Sequence, residues 1–128
     1  MTITAINPAS VPAPDGNYSQ GLLLKGGGDY LFISGQIPEK ADGTIPDDFT
    51  GQCETVWQNI HGLLTAAGMG FKNILKVTTY LTNKSQIAEN SRIRQLYLEG
   101  HQPALTVIIA ETLDARWMLE IEVIAVAP

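Results

Sequence analysis

Hydrophobic and polar positions alternate along this chain in two periods, and each change of period marks an element. Between positions 48 and 67 the apolar residues are Phe49, Cys53, Val56, Trp57, Ile60, Leu63, Leu64 and Ala67, at spacings of 4, 3, 1, 3, 3, 1 and 3. That is one face of an amphipathic helix. Asp47 or Asp48 can cap its free N–H groups, and Gly68 suits its end. A second helix is predicted from Ser85 to about Leu98, with Ser85 or Asn83 as cap and Gly100 as stop. Runs rich in β-branched and aromatic residues predict strands at 20–25, 30–37, 73–81, 105–110 and 117–127. In the last run Leu119, Ile121, Val123 and Ala125 face one way, and Glu120, Glu122, Ile124 and Val126 face the other.

The connections carry turn chemistry. Gly26-Gly27-Gly28-Asp29 reads as a tight turn joining the first two strands in a hairpin. Asp42-Gly43 marks another turn, with room for a short strand at 43–46. Pro8, Pro12 and Pro14 make the N-terminus the one place where disorder is expected. Strands joined through helices need crossovers, while the first and last strand pairs can be hairpins. The expected fold is α+β, one domain over 1–128, with a mixed sheet and both helices on one face. The other face still carries apolar side chains that nothing in the chain is left to cover, so an oligomer is expected.

Composition narrows the function classes. At 128 residues, with 45% hydrophobic and 16% charged, the chain is an ordinary globular one. Its net charge is −5, and its basic residues are scattered, which disfavours nucleic acid as a partner. The first ten residues hold no basic region, and no stretch approaches the roughly 18–20 apolar residues of a membrane span. The expected location is cytoplasmic. The lone cysteine, Cys53, falls on the apolar face of the first helix and is read as core.

Common catalytic motifs are absent. There is no dinucleotide-binding glycine motif, phosphate loop, HExxH or GxSxG, and no Cys/His/Asp cluster with metal-ligand spacing. Two features stand out. Glu120 and Glu122 project from one face of the last strand, beside Ile124 and Val126. The plain reading is a solvated outer face; a carboxylate partly desolvated by such surface also suits proton transfer. Ser34-Gly35-Gln36 interrupts a bulky strand, as a bulge or as a place where a ligand approaches closely.

In this order the segments resemble the reactive intermediate deaminase (Rid) family. The resemblance runs from about Asn17 to Val126. Its carriers are Tyr18-Ser19-Gln20, Phe32-Ile33-Ser34-Gly35-Gln36-Ile37-Pro38, Ala66-Ala67-Gly68, and the strand from Ile74 to Leu81. Asn90, Pro103-Ala104 and Glu120-Ile121-Glu122 complete it. The family commonly has a proline before the tyrosine, where this chain has Asn17. The resemblance implies a chorismate-mutase-like fold and a homotrimer with ligand clefts between subunits. It implies hydrolysis of imines or enamines, such as those derived from amino acids, to the keto acid and ammonia, without metal or organic cofactor. It also assigns roles. Tyr18 would wall the cleft, Ser34 and Gly35 would lie beside the substrate, and Asn90 would be a polar contact. Glu120 would be the catalytic acid–base group, and Glu122 a structural or subunit-contact residue.

One departure matters. Deaminating members begin the segment after Pro-Ala with arginine, which grips the substrate carboxylate with a two-pronged hydrogen bond. Here it reads Pro103-Ala104-Leu105-Thr106-Val107, and Val107 stands where many members have a small polar or thiol residue. Losing one partner of a buried ion pair costs roughly 3–5 kcal/mol, a hundred- to several-thousand-fold in binding. An atypical, less polar, neutral or cationic substrate is expected. Arg92, Arg94 or Arg116 could restore a cation, and Arg116, just before the last strand, is the best placed by sequence. The alternative is a non-catalytic trimer whose clefts bind a small metabolite or a protein partner. A third class, ribonuclease activity, is disfavoured by the acidic charge and the lack of a histidine pair.

Overall fold

The computed structural model describes residues 1–128. Six strands and two α-helices follow in the order β1 (Thr2–Ile6), β2 (Gly21–Lys25), β3 (Asp29–Gln36), α1 (Phe49–Ala66), β4 (Ile74–Leu81), α2 (Ile87–Leu98), β5 (Ala104–Ile109) and β6 (Leu119–Ala127). The fold is a mixed α+β one. β3, β6, β4 and β5 form a four-stranded sheet in that spatial order, with β6 antiparallel to both neighbours and β4 parallel to β5. α2 supplies the crossover that the parallel pair requires.

The helices begin and end where their sequence chemistry directs. Asp48 Oδ1 accepts from the Gly51 N–H at 2.9 Å and caps α1, and Gly68 takes the positive φ of 72° that ends it. Asn83 Oδ1 accepts from the Ser85 N–H at 2.8 Å, but it caps a single 3-10 turn, so α2 proper starts at Ile87. The core lies between the sheet and the helices. Val56, Trp57, Ile60 and Leu64 of α1 and Ile93 of α2 pack with Val77, Leu119, Ile121 and Val123 of the sheet, all essentially without exposure. Burying each such side chain contributes about 1.5–3 kcal/mol. Cys53 belongs to this core, and burial pushes its thiol pKa up to about 12. No helix is long and apolar enough to cross a membrane.

The opposite sheet face is open. Phe32 stands 72% exposed there, with Tyr30 stacked on it at 6.1 Å between ring centroids, and Ile108 is exposed too.

Four expectations are corrected. The N-terminus is ordered as β1, which pairs antiparallel with β2 in a separate two-stranded sheet. β2 and β3 therefore form no hairpin, although Gly26 does take a turn conformation with φ 80°. β5 and β6 form none either, because β4 separates them. Residues 43–46 form no strand; Thr44 is instead held by the Asp42 carboxylate at 2.7 and 2.9 Å.

Candidate functional site

The residues singled out by sequence gather in two places, one at the β5 edge of the sheet and one at the β3 edge with its inner neighbour β6. The first is the β5 edge. On β5, Leu105 and Val107 turn toward the helices and pack against the core, so they meet α2. On α2, Ile87 and Ser91, and likewise Asn90 and Arg94, are four residues apart and share a face. Between these walls lies a cleft of about 340 Å³ lined by Tyr18, Asn90, Leu105 and Val107 together with Asp15, Gly16, Ile87, Ser91 and Arg94.

Tyr18 reaches the cleft because its segment is stitched to the start of β5. Ser19 forms a parallel bridge with Ala104, its N–H donates to Pro103 O at 3.0 Å, and its hydroxyl donates to Gln102 O at 2.8 Å. Farther back, the Gln20 N–H donates to Asn7 Oδ1 at 2.8 Å and Gln20 Nε2 donates to Pro12 O at 2.9 Å. The β1–β2 pair thus closes the loop that carries Tyr18. The Tyr18 hydroxyl donates to Asp15 Oδ1 at 3.0 Å.

The second place is the β3 edge. A β-bulge breaks the register of β3 against β6 between Ile33 and Gln36. Gly35 sits in it, directly under the Glu120 side chain: a Cβ added there would meet Glu120 Cδ at 2.7 Å and Cγ at 3.0 Å. The bulge reading of Ser34-Gly35-Gln36 holds, and the group that lies close over Gly35 is the Glu120 side chain. Glu120 is half-buried and hydrogen-bonds no protein group; Glu122 is exposed and accepts from the Tyr80 hydroxyl at 2.9 Å. That bond, made to the unionised phenol, raises the Tyr80 pKa, with partial desolvation and the two carboxylates adding to it. Ser34 opens onto a neighbouring cavity of about 290 Å³ with Phe32, Lys76, Thr78 and Glu122.

Within one chain the two groups do not meet. β3 and β5 are the outer strands, three strand spacings or roughly 14 Å apart. Leu105 and Val107 also face the helices, whereas Glu120 faces the open side.

Sequence reasoning ranked the arginines wrongly. Arg116 lies by a different cavity, with Gly43 and Met118, and its guanidinium holds Asp114 at 2.7 and 3.0 Å. The pair keeps the Asp114 carboxyl down at about 2, through the side-chain hydrogen bond first and the Arg116 N–H second. Arg92 is likewise engaged by Glu89 at 2.6 and 2.8 Å. Arg94 is the arginine in the cleft, so the cleft is not without a cation. Its spacing of four from Asn90 was the signal that could have found it.

The two histidines are engaged separately. His61 stacks on Phe71 at 5.3 Å between ring centroids, and His101 Nε2 lies 2.6 Å from Ile74 O.

The family model described as endoribonuclease L-PSP matches residues 8–127. A RutC family protein of Pyrococcus horikoshii is 33% identical over 118 residues, covering 91% of each chain. TdcF of Escherichia coli (strain K12), named as a candidate reactive intermediate deaminase, is 31% identical over 125 residues, covering 94% of this chain and 95% of its own. The crystal structure of YyfB from Yersinia pestis, a Rid-family protein of unknown function, superposes with a TM-score of 0.87 at 25% identity, covering 99% of this chain and 100% of its own.

Proposed function

Because the chain belongs to the endoribonuclease L-PSP family, which includes the Rid and RutC proteins, we propose that it is a Rid-type hydrolase that releases ammonia from an imine or enamine. The ligand site is completed by a second copy: the β3 edge of one chain, with Ser34, Gly35 and Glu120, closes on the β5 edge of the next, with Tyr18, Asn90, Leu105 and Val107. One observation carries this reading. The candidate residues divide between two opposite edges of one sheet, which a head-to-tail ring brings together and an isolated chain does not. The exposed Phe32 on the open face supports the same assembly. A homotrimer is the ring we propose.

The chemistry needs only water. Glu120, free of protein partners and half-buried, accepts a proton as water adds to the imine carbon. It returns that proton to nitrogen, giving a carbinolamine; it then takes the hydroxyl proton and passes it to the amine nitrogen, so that the C–N bond breaks, the carbonyl forms and ammonia leaves. Gly35 leaves room for the carboxylate to sit over the bulge. No metal or organic cofactor takes part in this scheme. The cytoplasm is the compartment we propose for it, where the Cys53 thiol stays free.

The test is ammonia release from freshly generated imines. Glu120→Gln is expected to lower turnover by about a hundredfold or more while ligand binding survives. A second reading, a trimer that binds a metabolite without turnover, is favoured by Leu105 in the cleft. It requires no ammonia from any imine and unchanged binding by Glu120→Gln. The ribonuclease reading implied by the family's description finds little support in a chain of net charge −5 with both histidines engaged separately.

A further inference from the structure

Of the three arginines, Arg92 and Arg116 hold Glu89 and Asp114, and Arg94 holds no carboxylate. Arg94 is only 6% exposed. Its guanidinium makes one long hydrogen bond, from Nη2 to Ser91 Oγ at 3.3 Å, and its Nε is buried with no partner. An arginine stays protonated even so. A buried cation without a counter-ion is costly, and unpaired buried groups of this kind mark sites that something else completes.

We infer that Arg94 anchors the anionic head of the ligand in this cleft, a single carboxylate carried on an apolar chain. The anchor is thus supplied by α2, not β5. The inference rests on the reading of this cleft as the ligand site. Asn90, one turn away and with a 4.0 Å contact from the Cys53 thiol as its one side-chain hydrogen bond, can add a donor to the same head. Ile87, Leu105 and Val107 offer an apolar wall for the chain. Asp15 shares the cleft but bonds Tyr18 and stands more than 4.0 Å from Arg94, so it disfavours a ligand with a second negative charge. A planar guanidinium edge with one carboxylate elsewhere in the cleft suits a planar, singly charged carboxylate better than a phosphate dianion.

Calorimetric titration of the full-length protein tests this with three probes: 4-methyl-2-oxopentanoate, 4-methylpentan-2-one (a methyl in place of the carboxylate) and inorganic phosphate. The oxo acid is expected to bind at least about thirtyfold more tightly than the ketone or phosphate. Arg94→Gln should erase that difference. Arg94→Lys should keep part of it, because the charge remains and the fork is lost. Arg92→Gln should leave it intact. Arg94→Met should melt no lower than the wild type without ligand, which an arginine needed only for folding would not allow.

Equal binding of acid and ketone, no binding of the acid, or unchanged affinity in Arg94→Gln would each overturn the inference. Phosphate binding as tight as the oxo acid would overturn the carboxylate assignment. Dissociation of the oligomer by Arg94→Gln, seen in sedimentation, would show that a neighbouring chain's carboxylate is the true partner. Ammonia release separates this from the deaminase reading. Arg94-dependent binding without turnover sinks that reading alone; turnover with Arg94-indifferent binding sinks this inference alone.

Discussion

The two edges of the sheet are built on different plans. At the β5 edge, a helix, a strand and the Tyr18 segment enclose a cleft that is apolar on one wall and cationic on the other, with Arg94 nearly out of solvent. At the β3 edge there is no enclosure. A carboxylate without protein partners lies across a glycine in a bulged strand, facing the open side of the sheet. One edge has the shape to hold a ligand and lacks a group to react with it. The other has the carboxylate proposed to react and lacks walls. On the proposed division of labour, neither edge is a complete site by itself.

The largest expected effect is at the reactive edge. Glu120→Gln removes the group proposed to move the proton, so turnover should fall by about a hundredfold or more with the dissociation constant of the oxo acid nearly unchanged. A drop in binding as large as the drop in turnover would merge the two edges into one role. At the holding edge, Leu105→Arg should raise kcat/KM for small carboxylated imines by about tenfold or more, because a second guanidinium can grip the carboxylate. It should also lower Tm in the absence of ligand, since two cations then share one cleft. Unchanged activity on those substrates would show that residue 105 does not reach the substrate.

Gly35→Ala probes the geometry that links bulge and carboxylate. A Cβ meeting Glu120 Cδ at 2.7 Å forces the carboxylate aside. Turnover should fall by roughly tenfold, since small displacements of a catalytic group are costly, with little loss of binding at the other edge. Wild-type kcat in Gly35→Ala would detach Gly35 from the reaction.

The smallest effect is expected outside both edges. Arg116→Gln breaks the Asp114 pair, leaving activity unchanged. The folded-state pKa of Asp114 is depressed from 3.8 to about 2. Its stabilising contribution is therefore present above about pH 4 and is lost as pH falls toward 2. Wild type should lose Tm more steeply than Arg116→Gln in that window, and parallel curves would remove the pair from the pH response.

The sequence made side-chain direction legible and strand partnership much less so. The 3.6-residue spacing from Phe49 to Ala67 located α1 almost to the residue, and alternation along β6 sorted Leu119, Ile121 and Val123 from Glu120 and Glu122. Periodicity reports which way a side chain points, not which strand lies beside it. The expected hairpins therefore gave way to β1 paired with β2 and to β4 set between β5 and β6. β1 escaped notice because all five of its residues are exposed, so no buried face imposes a pattern on TITAI. Arg94 had the right spacing from Asn90, but burial and the lack of a carboxylate partner are properties of packing. Arg116 looked better placed because its pairing with Asp114 was not weighed.

The shared site can be tested by mixing two blocked chains. Glu120→Gln disables the reactive edge, and Leu105→Trp fills the cleft at the holding edge; each alone should be inactive. Co-expressed in equal amounts with separate tags and isolated as mixed oligomers, they should recover about a third of wild-type ammonia release, because every mixed head-to-tail ring of three has one interface that joins two intact edges. Mixed oligomers as inactive as their parents would contradict a site built from two chains.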